Sequence, residues 1–577
     1  MTASGWLQIV LLLALLSGVT PLLGGYIHRV FGGERVLLAR ALGPAERRFS
    51  GLLAGTQPAG QDWKGYAGSV LMFSATCWLA LFLILRTQSI QPLNPQGFRS
   101  APWDLSFNTA SSFVSNTSWQ FYGGETTLSS FSQMAGITVE SFLSAAAGLA
   151  VGVAVARGFA NRSSRALGNF WVDLVRGLLY VLLPLAIAGS LFLVAEGAIQ
   201  TLAAEVSFST LAGGGQTLAL GPVASQKAIT LLSSDGGGFY GVNSAMPFED
   251  PTSVANFVEM LMMLAIPAAL TYTYGRIVGN RRQGWVLYGV MAVMFFGGAA
   301  VAYPAESGPS AAMRAAGVHG ANMEGKEERL QVSGSTLSAV AATASGDGAT
   351  NAALDSFTGL GGSIPMANIM TGEVIFGGVG SGLFGMLLMV LLAVFVAGLM
   401  VGRTPEYLGK RIEAREIKLV TIGAIAVPLI VLFATAWAIS TRYGMRSIFN
   451  AGPQGFSEAL YAYTSQANNN GSAFAGYVGF SQPHAPGNAG ASGVTFADLA
   501  GGSAMLVGRF LPMLAALAVA GSLAGKRTIA AGEGTMRTDT PVFAVLLLAT
   551  IAIVALLTFV PSLMLGPLVQ ALTPRLF

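Results

Sequence analysis

Ten long apolar runs decide what this 577-residue chain can become. A bilayer core about 30 Å thick demands about 20 apolar residues per helical span, because lipid offers no partner to backbone N–H and C=O groups. Runs such as GWLQIVLLLALLSGVTPLLGGYI, YVLLPLAIAGSLFLVAEGA and PVFAVLLLATIAIVALLTFV meet that demand. Read against charged and Gly/Pro breaks, spans are expected at 5–27, 66–85, 136–156, 171–196, 254–275, 284–304, 376–401, 418–440, 502–524 and 541–565. With 53% hydrophobic and only 10% charged residues, neither a soluble multidomain protein nor a disordered chain fits. The first run is too long, and too poorly flanked, for a cleaved signal peptide.

The connecting loops sort by charge. Loops after odd-numbered spans carry Arg29, Arg35, Arg40, Arg47, Arg48 and Lys64, then Arg157 to Arg176, then Arg276, Arg281 and Arg282, then Arg403 to Lys418, then Lys526, Arg527 and Arg537. The opposite loops are longer and poorer in basic residues, so the basic set reads as cytoplasmic and both termini as external. The net charge of +4 then reflects orientation, and no basic, aromatic-interleaved tract points to nucleic acid. Cys77 is the only cysteine and sits in an apolar run, while His28, His319 and His484 share no ligand spacing, which leaves neither a disulfide framework nor a metal cluster.

A pattern recurs on the external side: a semi-apolar stretch, a small or polar cluster, then a long apolar span. The clusters are SNTSWQ (115–120), SSDGGGFYG (233–241), TASGDGATN (343–351) and NNNGSAFAG (468–476). An acid follows each, Glu140, Glu259, Glu373 and Asp498, and a cation closes each inner span, Arg157, Arg276, Arg403 and Lys526. Acid and base lie 17 positions apart in the first two repeats but 30 and 28 in the last two, so the third and fourth inner spans are expected to contain extra backbone. In the third, FGGVGSGLFG (376–385) is dense in glycine. Such a stretch either breaks a helix next to a cavity or lets helices pack closely.

A span, a re-entrant half-helix, a short polar loop and another span make the unit of a potassium-channel pore, whose filter offers backbone carbonyls in place of an ion's hydration shell. Glycine allows the backbone conformations such a loop needs, and Asn, Ser and Thr add neutral oxygens. The expected ligands lie around Asn116 and Thr117, Ser234 to Gly237, Gly346 to Gly348, and Asn469 to Gly471. The fold class is therefore all-α polytopic, with ten spans and four pore units around one axis. Residues 1–65 form an extra span and loop, and the units cover 66–165, 166–283, 284–415 and 416–577.

SNTSWQFYGGE, GGGFYGVNSAMPFEDPT, NNNGSAFAG and VGRTPEYLGKRIEAREIK carry a family resemblance. The chain resembles, end to end, the potassium-binding, channel-like A subunits of Kdp potassium pumps. The resemblance implies a bacterial inner-membrane complex with a P-type ATPase B subunit, which hydrolyses ATP, and small C and F subunits. It places the filter on Asn116, Thr117, Ser234, Asp235, Gly236, Gly237, Gly346, Gly348, Asn470 and Gly471, with Gln120 behind the first loop. It also assigns a gate and coupling element to Glu373, Gly377, Gly378 and Arg403, although Arg403 reads equally as a positive-inside marker. Ser115, Ser118, Ser234, Asp235 and the SGDG loop depart from the family pattern; Asp235 and Asp347 either strengthen cation attraction or point away and bond behind the filter.

The chain offers no nucleotide site, since GSLAGKRT (521–528) misses the phosphate-loop spacing and follows a span rather than a strand. Potassium is the expected ligand and membrane lipid the surrounding partner. Arg509, in LVGRFLPML, is an intramembrane cation, read either as a counter-charge in the conduction path or as a structural partner of Asp498 or another acid. The alternative function is a stand-alone potassium transporter or channel of the Trk/Ktr/HKT type, which needs the same loops but no ATPase.

Overall fold

The computed structural model describes residues 1–56, 58–162, 164–203, 205–402, 404–479, 494–528 and 536–573; Arg403 and His484 fall outside this set. In chain order its main elements are α1 (Ala3–Phe31), α2 (Ala39–Ala54), α3 (Trp63–Arg86), α4 (Trp103–Val114), α5 (Ser132–Ala160) and α6 (Phe170–Glu196). There follow the hairpin β1 (Glu205–Ser209) and β2 (Gly215–Ala219), α7 (Val223–Leu232), α8 (Ser253–Ile277), α9 (Arg281–Glu306), α10 (Gln331–Ala344), α11 (Gly359–Met370) and α12 (Ser381–Met400). The chain continues through the small hairpin β3 (Glu406–Tyr407) and β4 (Lys410–Arg411), α13 (Ala414–Ser440), α14 (Gly452–Ala467), α15 (Phe496–Ala524), α16 (Pro541–Leu565) and α17 (Pro567–Leu572).

Ten helices among the described residues are long and apolar enough to cross a membrane: α1, α3, α5, α6, α8, α9, α12, α13, α15 and α16. Side chains placed in extended backbone start many of them. Thr2, Asp62, Asn169, Thr252, Asn280, Thr495 and Thr540 each accept a backbone N–H of the first turn, and Glu413 with Glu416 forms a capping box on α13. α5 and α6 each contain a wide π turn, over Ser132–Thr138 and Gly177–Leu182.

Helices α4, α7, α10 and α14 have 12, 10, 14 and 16 residues, too few to cross a bilayer core. They are also polar and buried, with Ser106, Asn108, Ser111, Ser335, Thr336, Ser457 and Thr464 all at most 1% exposed. Protein rather than lipid must therefore surround them. The order outer span, half-helix, loop, inner span recurs four times, as α3–α4–α5, α6–α7–α8, α9–α10–α11/α12 and α13–α14–α15. α1 and α16 stand outside this scheme. α1 approaches α8 so closely that Thr273 Oγ1 donates to the Gly24 carbonyl at 3.0 Å.

The third inner span is interrupted. Residues 371–380 between α11 and α12 are non-helical, and Gly372, Glu373, Phe376 and Gly380 all have positive φ. Both readings of the glycine-dense stretch hold here, because Gly380 also lies against Gly148 of α5, where a Cβ would overlap the Gly148 carbonyl. The expectation of extra backbone in the fourth inner span is wrong: α15 is one continuous helix of 29 residues. Its Asp498 stands in the first turn, whereas Glu140 lies two residues past the π segment and about two turns into α5, so the two acids were unequal starting points for counting.

Thr2 N donates to Tyr303 Oη at 2.8 Å near the end of α9, and Gln570 of α17 bonds Gln454 of α14 at 2.7 Å. Both ends of the described chain thus lie on the side of the four loops. On that side Glu306, at the end of α9, binds Lys326 Nζ at 2.8 Å and Asn322 Nδ2 at 2.8 Å, while its other oxygen accepts the N–H and hydroxyl of Thr358 at 2.8 and 2.7 Å. Both charged side chains are fully buried, and Lys326 sits over the Phe357 ring at 4.1 Å. This network fixes the start of α11. Glu306→Ala strands a buried ammonium and is expected to cost about 3–5 kcal/mol, read as a lower unfolding temperature of the detergent-solubilised protein; the double change Glu306→Gln, Lys326→Met should cost much less.

The opposite face is closed by the β3–β4 hairpin. Tyr407 is 1% exposed, bonds Tyr274 Oη of α8 at 2.8 Å and meets Phe159 of α5 edge-on. Lys410 Nζ reaches the carbonyls of Gly158 and Asn161 at 3.1 and 2.5 Å, capping α5, and Lys526 at the end of α15 donates to the Arg411 carbonyl at 2.9 Å. Burial, aided by Arg162 and Lys526, lowers the Lys410 ammonium to about 8. Because the folded value lies below the unfolded one, the native chain should gain stability relative to Lys410→Met as pH rises through 8 toward 10.5 in thermal melts.

Candidate functional site

Each half-helix delivers its C-terminus to one loop: Ser115, Ser233, Ser345 and Asn468 are the cap residues of α4, α7, α10 and α14. Aligned on these caps, the loops share three positions. The first is Asn116, Ser234, Gly346, Asn469; the second is Thr117, Asp235, Asp347, Asn470; the third is Ser118, Gly236, Gly348, Gly471. First and third positions have positive φ in all four loops, from 47° to 95°. The loop N–H groups turn back onto the half-helices, as in Thr117 to Ser112 O at 2.9 Å, Asp235 to Thr230 O at 3.1 Å, Gly348 to Ala342 O at 3.1 Å and Asn470 to Ser465 O at 2.9 Å. With donors so engaged, the carbonyls are the groups left to offer.

The loops interlock as a closed ring. A Cβ on Gly236 would overlap the Asp347 carbonyl, one on Gly348 the Asn470 carbonyl, and one on Gly471 the Thr117 carbonyl. Ser118 completes the cycle, its hydroxyl donating to the Asp235 carbonyl. The third residue of each loop therefore abuts the second carbonyl of the next, all the way around. Side chains brace the ring: Asn116 Nδ2 donates to Ser234 O at 2.6 Å, Asn469 Nδ2 to Thr117 Oγ1 at 2.9 Å, and Asn470 Nδ2 to Ala342 O at 2.9 Å. The helix dipoles put a partial negative charge at each of the four C-termini, so the centre suits a cation.

First-position side chains lean on the inner helices: Ser144 Oγ of α5 donates to Asn116 Oδ1 at 3.2 Å, Ser234 Oγ to Met263 O of α8 at 3.5 Å, and Asn469 Nδ2 to Met505 O of α15 at 3.1 Å. Gly346 has no side chain to do this. Its space is taken by the interrupted inner span, where a Cβ on Gly346 would stand 2.8 Å from Glu373 Oε1 and 3.1 Å from Gly378 N. Gly377 closes a tight turn over the Glu373 carbonyl. A cavity of about 90 Å³ opens beside this turn, lined by Glu373, Phe384, Asn469, Arg509, Pro512 and Phe559.

The chain as a whole has known counterparts. The family described as potassium-transporting ATPase A subunit matches residues 10–572. The chain belongs to that family. A relative from Methylobacterium nodulans is 52% identical over 575 residues, covering 99% of this chain and 98% of its own, and bears the name potassium-transporting ATPase potassium-binding subunit. A relative of the same name from Granulibacter bethesdensis is 49% identical over 578 residues, covering 99% of each chain. Among solved structures, the potassium transporter TrkH from Vibrio parahaemolyticus shares the fold at 13% identity, with a TM-score of 0.50 over 89% of this chain and 96% of that one.

In this A subunit, Thr117, Asp235, Gly236, Gly348, Asn470 and Gly471 lie in the ring of contacts and Asn116 and Ser234 bond across it, whereas Gly346 leaves room for Glu373. Gln120 Nε2 reaches the Gly238 carbonyl at 3.4 Å and lies beside Gly237, supporting the second loop. Of the two loop acids, Asp347 folds back, its Oδ1 accepting the Ala349 N–H at 3.2 Å. Glu373, Gly377 and Gly378 meet at the interruption; Arg403 lies outside the described residues. The pairing of Arg509 with Asp498 is not realised: Asp498 bonds Thr495 Oγ1 at 2.5 Å in the first turn of α15, about three turns away. Arg509 faces the cavity it shares with Glu373. Ser118 as a ring member was missed; aligning the clusters on their helix ends, rather than on glycines, would have found it.

Proposed function

We propose that this chain binds and selects potassium from outside the cell as the channel-like subunit of an ATP-driven uptake complex in the bacterial inner membrane. The closed ring of four loops at four helix C-termini carries this reading: potassium sheds water there and takes carbonyl oxygens instead. Filter ligands are assigned to the carbonyls and side-chain oxygens of Asn116, Thr117, Ser234, Asp235, Gly236, Gly237, Gly346, Gly348, Asn470 and Gly471. Glu373, Gly377 and Gly378 form the barrier that stops direct flow, and Arg403 links this element to a P-type B subunit that hydrolyses ATP, assisted by C and F subunits. The basic loops face the cytoplasm and both termini face outward.

Family membership over residues 10–572 favours this assembly over a stand-alone transporter. Copurification of an ATPase subunit with the tagged chain, and ATP hydrolysis stimulated by potassium above rubidium and far above sodium, is the expected result. Gln120→Arg, which puts a cation beside Gly237, should raise the potassium concentration needed. Hydrolysis indifferent to potassium, or unaltered by that change, would overturn the reading.

A further inference from the structure

We propose that α2 is an in-plane membrane helix whose arginines bind the headgroups of anionic phospholipids on the face remote from the four loops. Sequence alone assigned this segment to a loop, and its 16 residues include Gly43, Pro44 and Gly51. Wound at 3.6 residues per turn, it nonetheless separates into three faces. Gly43 and Glu46 point into the protein, where Glu46 accepts from Arg176 Nε and Tyr180 Oη, both at 2.8 Å. Phe49, Leu52 and Leu53 form a second face and are 49%, 80% and 43% exposed. Arg40, Arg47 and Arg48 form the third, exposed and roughly 150° around the axis from the apolar one.

The anchor sets the depth. Arg176 and Tyr180 belong to the first turns of the span α6, so α2 lies at the level where that span enters the apolar layer. A helix at this height with one flank apolar and the other basic fits the boundary between acyl chains and headgroups. Water alone would not suit exposed Phe49 and Leu52, nor Leu37 just before the helix, which is 91% exposed. The charge sign selects the lipid: of the acids in this segment, Glu46 is already engaged by Arg176 and only Glu34 remains against Arg35, Arg40, Arg47 and Arg48. The lipid complementary to that balance carries net negative charge.

Spin labels at Leu52→Cys and Arg47→Cys test this in the full-length chain with its copurifying subunits, in phosphatidylcholine vesicles with or without phosphatidylglycerol. Both positions are exposed and this chain's single native thiol, Cys77, is buried, so labelling within the chain is selective, and the complex with the native chain, labelled in parallel, gives the signal of any other thiols to subtract. The expected ratio of oxygen to nickel-chelate accessibility is about tenfold higher at Leu52 than at Arg47. Phosphatidylglycerol should raise the Leu52 ratio further, and Arg40→Gln with Arg48→Gln should abolish that rise. Equal ratios at the two sites would place α2 in water, and shielding from both reagents would place it under a protein partner. Either result, or a Leu52 ratio indifferent to phosphatidylglycerol, would overturn the proposal.

Discussion

Gly236→Ala should raise the potassium concentration giving half-maximal ATPase stimulation roughly tenfold or more while sparing the maximal rate. Two physical terms act together. Gly236 sits at φ +78°, a left-handed conformation that costs an L side chain about 1–2 kcal/mol. Its new Cβ would also overlap the Asp347 carbonyl, so the third loop must shift at the atom proposed to hold the ion. At about 1.4 kcal/mol per factor of ten, the two together reach the stated change. Gly213→Ala at the tip of the β1–β2 hairpin separates them, since that glycine has φ +82° but nothing within 4 Å of its Cβ. It should leave the potassium response unchanged. If the two variants behave alike, backbone strain alone is being read and the ring is not the site. Gly237→Ala should fall between, because its Cβ meets the movable Gln120 side chain at 3.0 Å.

That prediction shows where sequence reasoning stops. The ten spans were legible because lipid imposes length and apolarity on each separately, and all ten lie where the apolar runs put them. The loops were legible because four clusters of small residues, each before a long span, are hard to explain otherwise. The ring was not, since it joins Gly471 to Thr117 across some 350 residues and depends on backbone hands that no composition reveals. Nor could the sequence tell that the missing side chain of Gly346 makes room for Glu373, because each glycine read alone is only permissive. The stretch VGRTPEYLGKRIEAREIK was a family signature and a basic loop; that Tyr407 and Lys410 are buried against the ends of α5 and α8 follows only from the packing. The extra backbone expected in α15 failed for the same reason, as acids spaced alike in sequence hold unlike places on their helices.

Glu373→Gln and Arg509→Gln should move potassium affinity in opposite directions. The two groups line one cavity just past the ring, which Asn469 also borders, and Arg509 is 5% exposed. On the proposed reading, an ion leaving the filter meets the Glu373 carboxyl group and the Arg509 guanidinium in one confined space. At an effective dielectric of about 20, a unit charge some 6 Å away contributes roughly 3 kcal/mol, and mutual screening by the opposite partner reduces this to about one factor of ten. Removing the anion should weaken potassium stimulation about tenfold; removing the cation should strengthen it, at the cost of slower release. The double variant is decisive, because two charges acting through a shared field should nearly cancel, giving close to the native concentration dependence. Loss of affinity in both single variants, deepening in the double, would instead mean that the pair only holds the Thr371–Gly380 turn in place. A melting temperature measured on each variant distinguishes the cases, since an electrostatic role leaves the fold intact while a bracing role lowers its stability in step with affinity.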